Sequence, residues 1–190
     1  MSRRPLRLGG FIAVLIGALL LVLGFTSGRG GAFDEEASQL SGSVGPRLVI
    51  ESIDLMTTTR GGEATSDGTI NPPSGHTMWV RGYDRVSPGA VGTSVVAGHV
   101  EYNGKDDVFA RLPELDSGDT VKVVAGDESL EFVITRAEVV DKHELTKDAE
   151  VWGENSSERR LVLITCDDEL GYASDGHRKA NFVVVAELAD

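Results

Sequence analysis

The chain has a single cysteine, Cys166, in 190 residues. One thiol excludes an internal disulfide and any cysteine-rich zinc site. Positive charge is also scarce. Lys and Arg number 18 against 30 Asp and Glu, a formal net charge of -12. Three of those bases, Arg3, Arg4 and Arg7, lie in the first 25 residues, which hold no acid; 15 bases face 30 acids in the rest. Such a surface repels nucleic acid and anionic membrane faces, so no nucleic-acid partner is expected. Internal repeats and low-complexity segments are absent. No acid spacing matches an EF-hand loop, so Glu101, Asp106, Asp107, Asp167, Asp168 and Glu169 read as surface charge, and neither a metal nor a cofactor is expected. A hydrophobic share of 41% is enough for one core of ordinary domain size.

Leu8 to Phe25 is an uncharged apolar run of 18 residues. That lies within the transmembrane range of about 17–25. In lipid every backbone amide must be paired internally, so this run is expected to be a helical anchor. Basic residues 1–7 precede it and acids follow it, which places the N-terminus in the cytoplasm and the remainder outside. The run exceeds a usual signal-peptide core, and no A-x-A-like cleavage site follows it. Residues 26–46 are rich in Gly and Ser, without periodicity, and read as a flexible tether. The folded domain is expected over 47–190.

Within that domain, short β-branched runs alternate with turn signals. Strands are expected at Arg47–Leu55, Trp79–Tyr83, Thr93–Gly98, Thr120–Val124, Leu130–Val140, Arg160–Cys166 and Asn181–Leu188. Thr57–Gly75, dense in Thr, Gly, Ser and Pro, reads as loop, as does the acidic segment Asp167–Gly176. Asp106 or Asp107 is placed to cap a short helix running to Leu112, burying Val108, Phe109 and Leu112. Thr146–Asn155 is mixed loop or helix. Seven or eight short strands with one clear helix indicate an all-β barrel or sandwich.

Leu161-Val162-Leu163-Ile164-Thr165-Cys166 carries the chemistry. An apolar strand ends on the lone thiol, and a strand end is a rigid place from which to aim a side chain. A buried free cysteine packing as a small hydrophobe is the plain alternative. His99 ends another expected strand, and Arg178 opens the last one. A thiolate needs a proton donor for its leaving group and a fixed positive charge for the oxyanion. His99 suits the first task and Arg178 the second, since a guanidinium stays charged throughout. The Thr165 hydroxyl, beside the thiol, is a candidate for a supporting hydrogen bond to substrate or oxyanion. His76 and His143 lie in polar segments and read as solvated. His177 adjoins Arg178 and is placed to line the site.

Val162-Leu163-Ile164-Thr165-Cys166 resembles the TLxTC signature of sortases, with valine in the place of the first threonine. Val95-Val96-Ala97-Gly98-His99 is similar to that family's strand ending in Gly-His, and Asp107–Leu112 to the short helix after it. Arg178, ahead of Asn181–Leu188, resembles the family's arginine, with Lys179 as a second candidate. The resemblance spans residues 47–190. It implies a closed eight-stranded β-barrel with one or two short helices, behind an N-terminal transmembrane helix. It implies a membrane-anchored cysteine transpeptidase of Gram-positive cell walls. Such an enzyme cleaves an LPxTG-like sorting signal, holds the acyl group as a thioester, and passes it to an amine on a cell-wall precursor or a pilin. By the match, Cys166 is the nucleophile, His99 the acid/base and Arg178 the substrate or oxyanion stabiliser. Val100-Glu101-Tyr102 after the histidine is most similar to the actinobacterial classes E and F, class F favoured.

Two other functions fit parts of the pattern. An L,D-transpeptidase is also a thiol acyl-transferase, but that family keeps histidine and cysteine close together in one motif, unlike His99 and Cys166. A non-catalytic anchored β-domain would bind a surface partner and leave Cys166 unreactive.

Overall fold

The run Leu161–Ile164 has no polar alternation, which is what a strand covered on both faces requires. The computed structural model of the chain, which describes residues 29–40 and 44–190, shows both covers. In chain order the described elements are helix α1 (Arg29–Ser38), strands β1 (Val44–Ile50), β2 (Leu55–Glu63), β3 (Thr77–Arg81), β4 (Gly92–Ala97), β5 (Glu101–Tyr102), β6 (Lys105–Asp106), β7 (Thr120–Ala125) and β8 (Glu128–Asp141), one-turn helices α2 (Lys142–Leu145) and α3 (Ala149–Trp152), and strands β9 (Arg159–Tyr172) and β10 (Arg178–Leu188). Eight strands close a barrel in the order β1-β2-β3-β4-β9-β10-β8-β7, while β5 and β6 form a separate hairpin. The closed eight-stranded barrel expected from the sequence is thus the observed architecture.

Side chains alternate across the barrel wall. Val96, Leu161, Leu163, Phe182 and Val184 point inward to a core shared with Leu48, Phe109, Leu112 and Phe132. Val95, Val162, Ile164, Val183 and Val185 point outward, where Leu145 of α2 and Val151 of α3 cover them. The buried Arg85 guanidinium holds α3 in place by donating to the carbonyls of Val151 and Gly153. The wall made by β4, β9 and β10 is therefore packed on both sides. That makes it a rigid base from which to display a side chain.

Four expectations are corrected. Thr57–Gly75 is not all loop: β2 runs to Glu63 and pairs with β1 and, in parallel, with β3. The helix expected from Asp106 or Asp107 to Leu112 is a series of turns followed by one 3-10 turn, Leu112–Glu114. Its amides are already committed, since Asp107 N donates to Val100 O and Phe109 N to His99 O. Phe109 and Leu112 are buried nonetheless, and Val108 is half-buried. The acidic segment after Cys166 is strand as far as Tyr172, closed by a tight turn in which Ala173 N donates to His177 O.

The fourth correction concerns the tether. Of its described residues, 29–38 form α1, which docks on the barrel, and 44–46 already belong to β1. Phe33 is 1% exposed and joins the interior cluster. It lies over Gly89, where an added Cβ would stand 2.5 Å from the ring. Asp34 pairs with Arg159 at 2.7 Å. The expected anchor, residues 8–25, and the basic segment 1–7 lie outside the described residues. Among the described residues no helix is long and apolar enough to cross a membrane.

Candidate active site

Strands β4 and β9 are parallel neighbours, with Ala97 opposite Ile164. The pairing outlasts β4. Gly98 N donates to Ile164 O at 3.2 Å, and Thr165 Oγ1 donates to Gly98 O at 2.8 Å. His99 and Cys166 thus leave the wall side by side, each one residue beyond this clasp. Alternation carries the outward face of Val95 on through Ala97 to His99, and that of Val162 and Ile164 on to Cys166. The site lies on the outer face of the wall at its end, not across the barrel mouth. Gly98 is required by close approach: a Cβ there would stand 2.6 Å from Phe109 Cδ2 and 3.0 Å from Val108 Cγ1.

On the other side of β9 runs β10, antiparallel, with Asn181 opposite Cys166 and Arg178 opposite Tyr172. An irregularity in the register between Arg178 and Ala180 lets Arg178 turn toward the thiol's side. His99, Cys166 and Arg178 line one cleft of about 290 Å³. Cys166 is a free, half-buried thiol. The cleft also receives Glu101, Lys142, Tyr172 and His177.

Each side chain has defined partners. The His99 ring nitrogen Nε2 lies 2.8 Å from the Pro72 carbonyl oxygen, and the ring packs on Tyr102 with centroids 5.5 Å apart. Arg178, with a side chain 19% exposed, lies 3.5 Å from the Glu101 carboxylate. Hydrogen bonding with Tyr172 holds the Arg178 guanidinium above its ordinary pKa; burial opposes this, and the charges of Asp168 and Glu101 add to it. The cation is therefore permanent. Burial pushes the Asp107 carboxyl up, but hydrogen bonds from Ser74 Oγ, Val108 N and Gly75 N outweigh it, and its pKa falls below the usual aspartate value with a smaller contribution from His99.

Of the residues singled out in the sequence, His99, Cys166, Arg178 and His177 meet in the cleft, and so does Glu101, which the sequence reads as surface charge but which faces Arg178. Thr165 does not. Its side chain is buried at 2% exposure and its hydroxyl is spent on Gly98 O, so it joins the two strands instead of supporting substrate or oxyanion. Lys179, His76 and His143 are exposed and line no part of the cleft. Sequence reasoning missed Lys142 and Tyr172. Lys142 arrives because β8 runs to Asp141 before α2, and Tyr172 because β9 continues past the cysteine. Among the described residues no group of three or more His, Cys, Asp or Glu side chains is placed to hold a metal ion.

The arrangement offers a nucleophile, a proton carrier and a permanent cation within one polar cleft, which is the equipment of acyl transfer through a thioester. A search of proteins with curated functions finds no match. Solved structures share the fold. A sortase D5 transpeptidase from Clostridium perfringens is 20% identical, with a TM-score of 0.58 over 84% of this chain and 88% of that one. Sortase A from Listeria monocytogenes is 20% identical, with a TM-score of 0.56 over 78% of this chain and 89% of that one. Sortase C-1 from Actinomyces oris is 19% identical, with a TM-score of 0.57 over 89% of this chain and 86% of that one. The family model described as Sortase domain matches residues 48–189, the barrel from within β1 to the end of β10. With three quarters of its length inside that match, the chain belongs to the sortase family of cysteine transpeptidases.

Proposed function

We propose that Cys166, His99 and Arg178 perform this transpeptidation, on a sorting signal of LPxTG type. The Cys166 sulfur attacks the scissile carbonyl carbon, its proton passing to His99. The C–N bond breaks as His99 returns that proton to the departing amine, leaving a thioester on Cys166. An amine from a cell-wall precursor or a pilin then attacks the thioester, gives its proton to His99, and restores the thiol. Arg178 holds the carbonyl oxygen as it becomes an oxyanion in both steps. The observation that carries this reading is the convergence of the three side chains on one cleft from β4, β9 and β10.

The reading extends to setting and class. Residues 8–25 anchor the chain in the cell membrane with the barrel outside, where surface proteins bearing sorting signals are met. The apolar run and its flanking charges support this. The sequence Val100-Glu101-Tyr102 after His99 supports class E or F, with F favoured.

The test uses the full chain, a fluorescent LPxTG-type peptide and an amine acceptor. The wild-type protein forms the peptide–amine conjugate, and a thioester is trapped on Cys166 by acid quench and mass spectrometry. Cys166→Ala abolishes both. Conjugate formed by Cys166→Ala removes the proposal.

A further inference from the structure

Besides Cys166 and Arg178, the acid/base assigned to His99 needs its ring held in one tautomer. A carbonyl oxygen can only accept a hydrogen bond. The 2.8 Å contact between His99 Nε2 and Pro72 O therefore places the ring proton on Nε2. In the neutral imidazole Nδ1 is then the free base. When Nδ1 takes up a proton, the Nε2–H bond to the carbonyl persists and the cation gains an acceptor already in place.

Pro72 is well suited to this. It is buried, and it is followed by Pro73. Two consecutive prolines restrict φ at both positions and bias Pro72 toward extended backbone, so its carbonyl direction is set before the histidine arrives. The segment is fastened on its other side by Asp107. Gly75 N donates to Asp107 Oδ1 at 2.7 Å and Ser74 Oγ to Oδ2 at 2.8 Å. Asp107 is itself tied to the histidine's strand end, through Asp107 N to Val100 O at 3.1 Å and Phe109 N to His99 O at 2.9 Å. Its Oδ1 also accepts from Val108 N at 2.6 Å. Pro72, Ser74 and Gly75 on one side and His99, Val100 and Asp107 on the other form a closed circuit of chain and hydrogen bonds in which the imidazole is one link.

We infer that the Pro72 carbonyl is the orienting partner of His99, fixing the proton on Nε2 and leaving Nδ1 to exchange protons in the cleft, and that Asp107 and Ser74 are positioning residues that hold this carbonyl in place. The inference rests on the assignment of His99 as the acid/base. It assigns work to a polar loop that otherwise only connects β2 to β3.

Two measurements test it. Nitrogen chemical shifts of His99 in the labelled wild-type protein near neutral pH show which ring nitrogen carries the hydrogen. The expected result is Nε2–H, and a ring with hydrogen on Nδ1 alone overturns the inference without any variant. The second is the steady-state kinetics of Asp107→Asn, which keeps the shape and removes the charge. Charged and titratable groups lining the cleft are Glu101, Lys142, Cys166, Tyr172, His177 and Arg178, and Tyr102 packs on the ring; all are unchanged in this variant. A loosened carbonyl lowers kcat about tenfold or more while KM stays near the wild-type value. Ser74→Ala shifts kcat in the same direction by less, and Ser74→Thr, which keeps a hydroxyl, restores it. Asp106→Asn, on the exposed β6, is the control and stays within about twofold of wild type. A wild-type kcat in Asp107→Asn, alongside an inactive His99→Ala, overturns the inference and spares the His99 assignment. Full activity in His99→Ala overturns the assignment itself.

Discussion

Thr165 and Gly98 are joined by a buried hydrogen bond of 2.8 Å, and each is the residue immediately before one that enters the cleft. They lie 67 residues apart, the same offset that runs through the β4–β9 ladder from Gly92–Arg159 to Ala97–Ile164. His99 and Cys166 inherit that offset. Neighbouring strands lie about 4.8 Å apart, so the parallel register brings the backbones of His99 and Cys166 close together. Thr165→Val keeps the shape and removes the donor, leaving the Gly98 carbonyl short of a partner. The expected cost is about 1 kcal/mol of stability by urea unfolding. Turnover should fall about tenfold with little change in KM, because the two chain ends lose their clasp. Thr165→Ser, which keeps the hydroxyl, should stay close to wild type. Unchanged turnover in Thr165→Val would show that the ladder alone holds the pair.

Gly98 faces the opposite problem, too little space. A methyl group there meets the Phe109 ring at 2.6 Å. Phe109 is fully buried, so it cannot swing aside. Gly98→Ala should destabilise the barrel by about 1–3 kcal/mol, the usual cost of overpacking. The double variant with Phe109→Leu should be more stable than the sum of the two single effects predicts, since the smaller side chain makes room. Simple additivity in urea unfolding would show that the backbone moves instead.

These residues also show what can be read from a sequence. Val95-Val96-Ala97 and Leu161-Val162-Leu163-Ile164 are continuous apolar runs because inner and outer layers cover both faces. Such runs announce central strands, and the residues at their ends announce a site. β2 is hard to read because only Thr59 among its nine residues is buried, and after Leu55 and Met56 it holds only Thr, Gly and charged residues. Asp167, Asp168 and Glu169 suggest a loop after Cys166, yet they are strand residues of the hairpin β9 makes with β10. α1 was hidden by its glycines. Its only strong signal was Phe33, whose partner Gly89 is distant in the chain. The role of Pro72 lies in a backbone carbonyl, which no side-chain pattern reports.

Arg178 and Lys179 are adjacent cations with different surroundings. Arg178 lines the cleft and is steadied by Glu101, whereas Lys179 is exposed. Arg178→Lys keeps the charge and loses the planar fork that can hold an oxygen with two donors. It should lower kcat/KM about a hundredfold, the scale of losing one oxyanion donor. Lys179→Ala should stay within about twofold. A larger loss from Lys179→Ala than from Arg178→Lys would transfer the stabilising role to Lys179.

Helix α1 offers a test of how the barrel is completed. Phe33 sits at 1% exposure over Gly89, so Phe33→Ala removes a buried ring and should cost about 3 kcal/mol in urea unfolding. Asp34 adds a pH-dependent part. Its hydrogen bond with Arg159, aided by the Arg159 charge, outweighs burial and holds its pKa below the ordinary 3.8. A carboxylate depressed by folding stabilises the native state at pH values above its unfolded pKa. That contribution is lost as pH falls through the lower folded value. Asp34 is half exposed, so solvent screening keeps the contribution to about 0.5 kcal/mol. Asp34→Asn should therefore be slightly less stable than wild type at pH 7, and the two should converge once the pH drops well under 3.8. A stability difference that persists unchanged into acid would mean that shape, not charge, joins α1 to the start of β9.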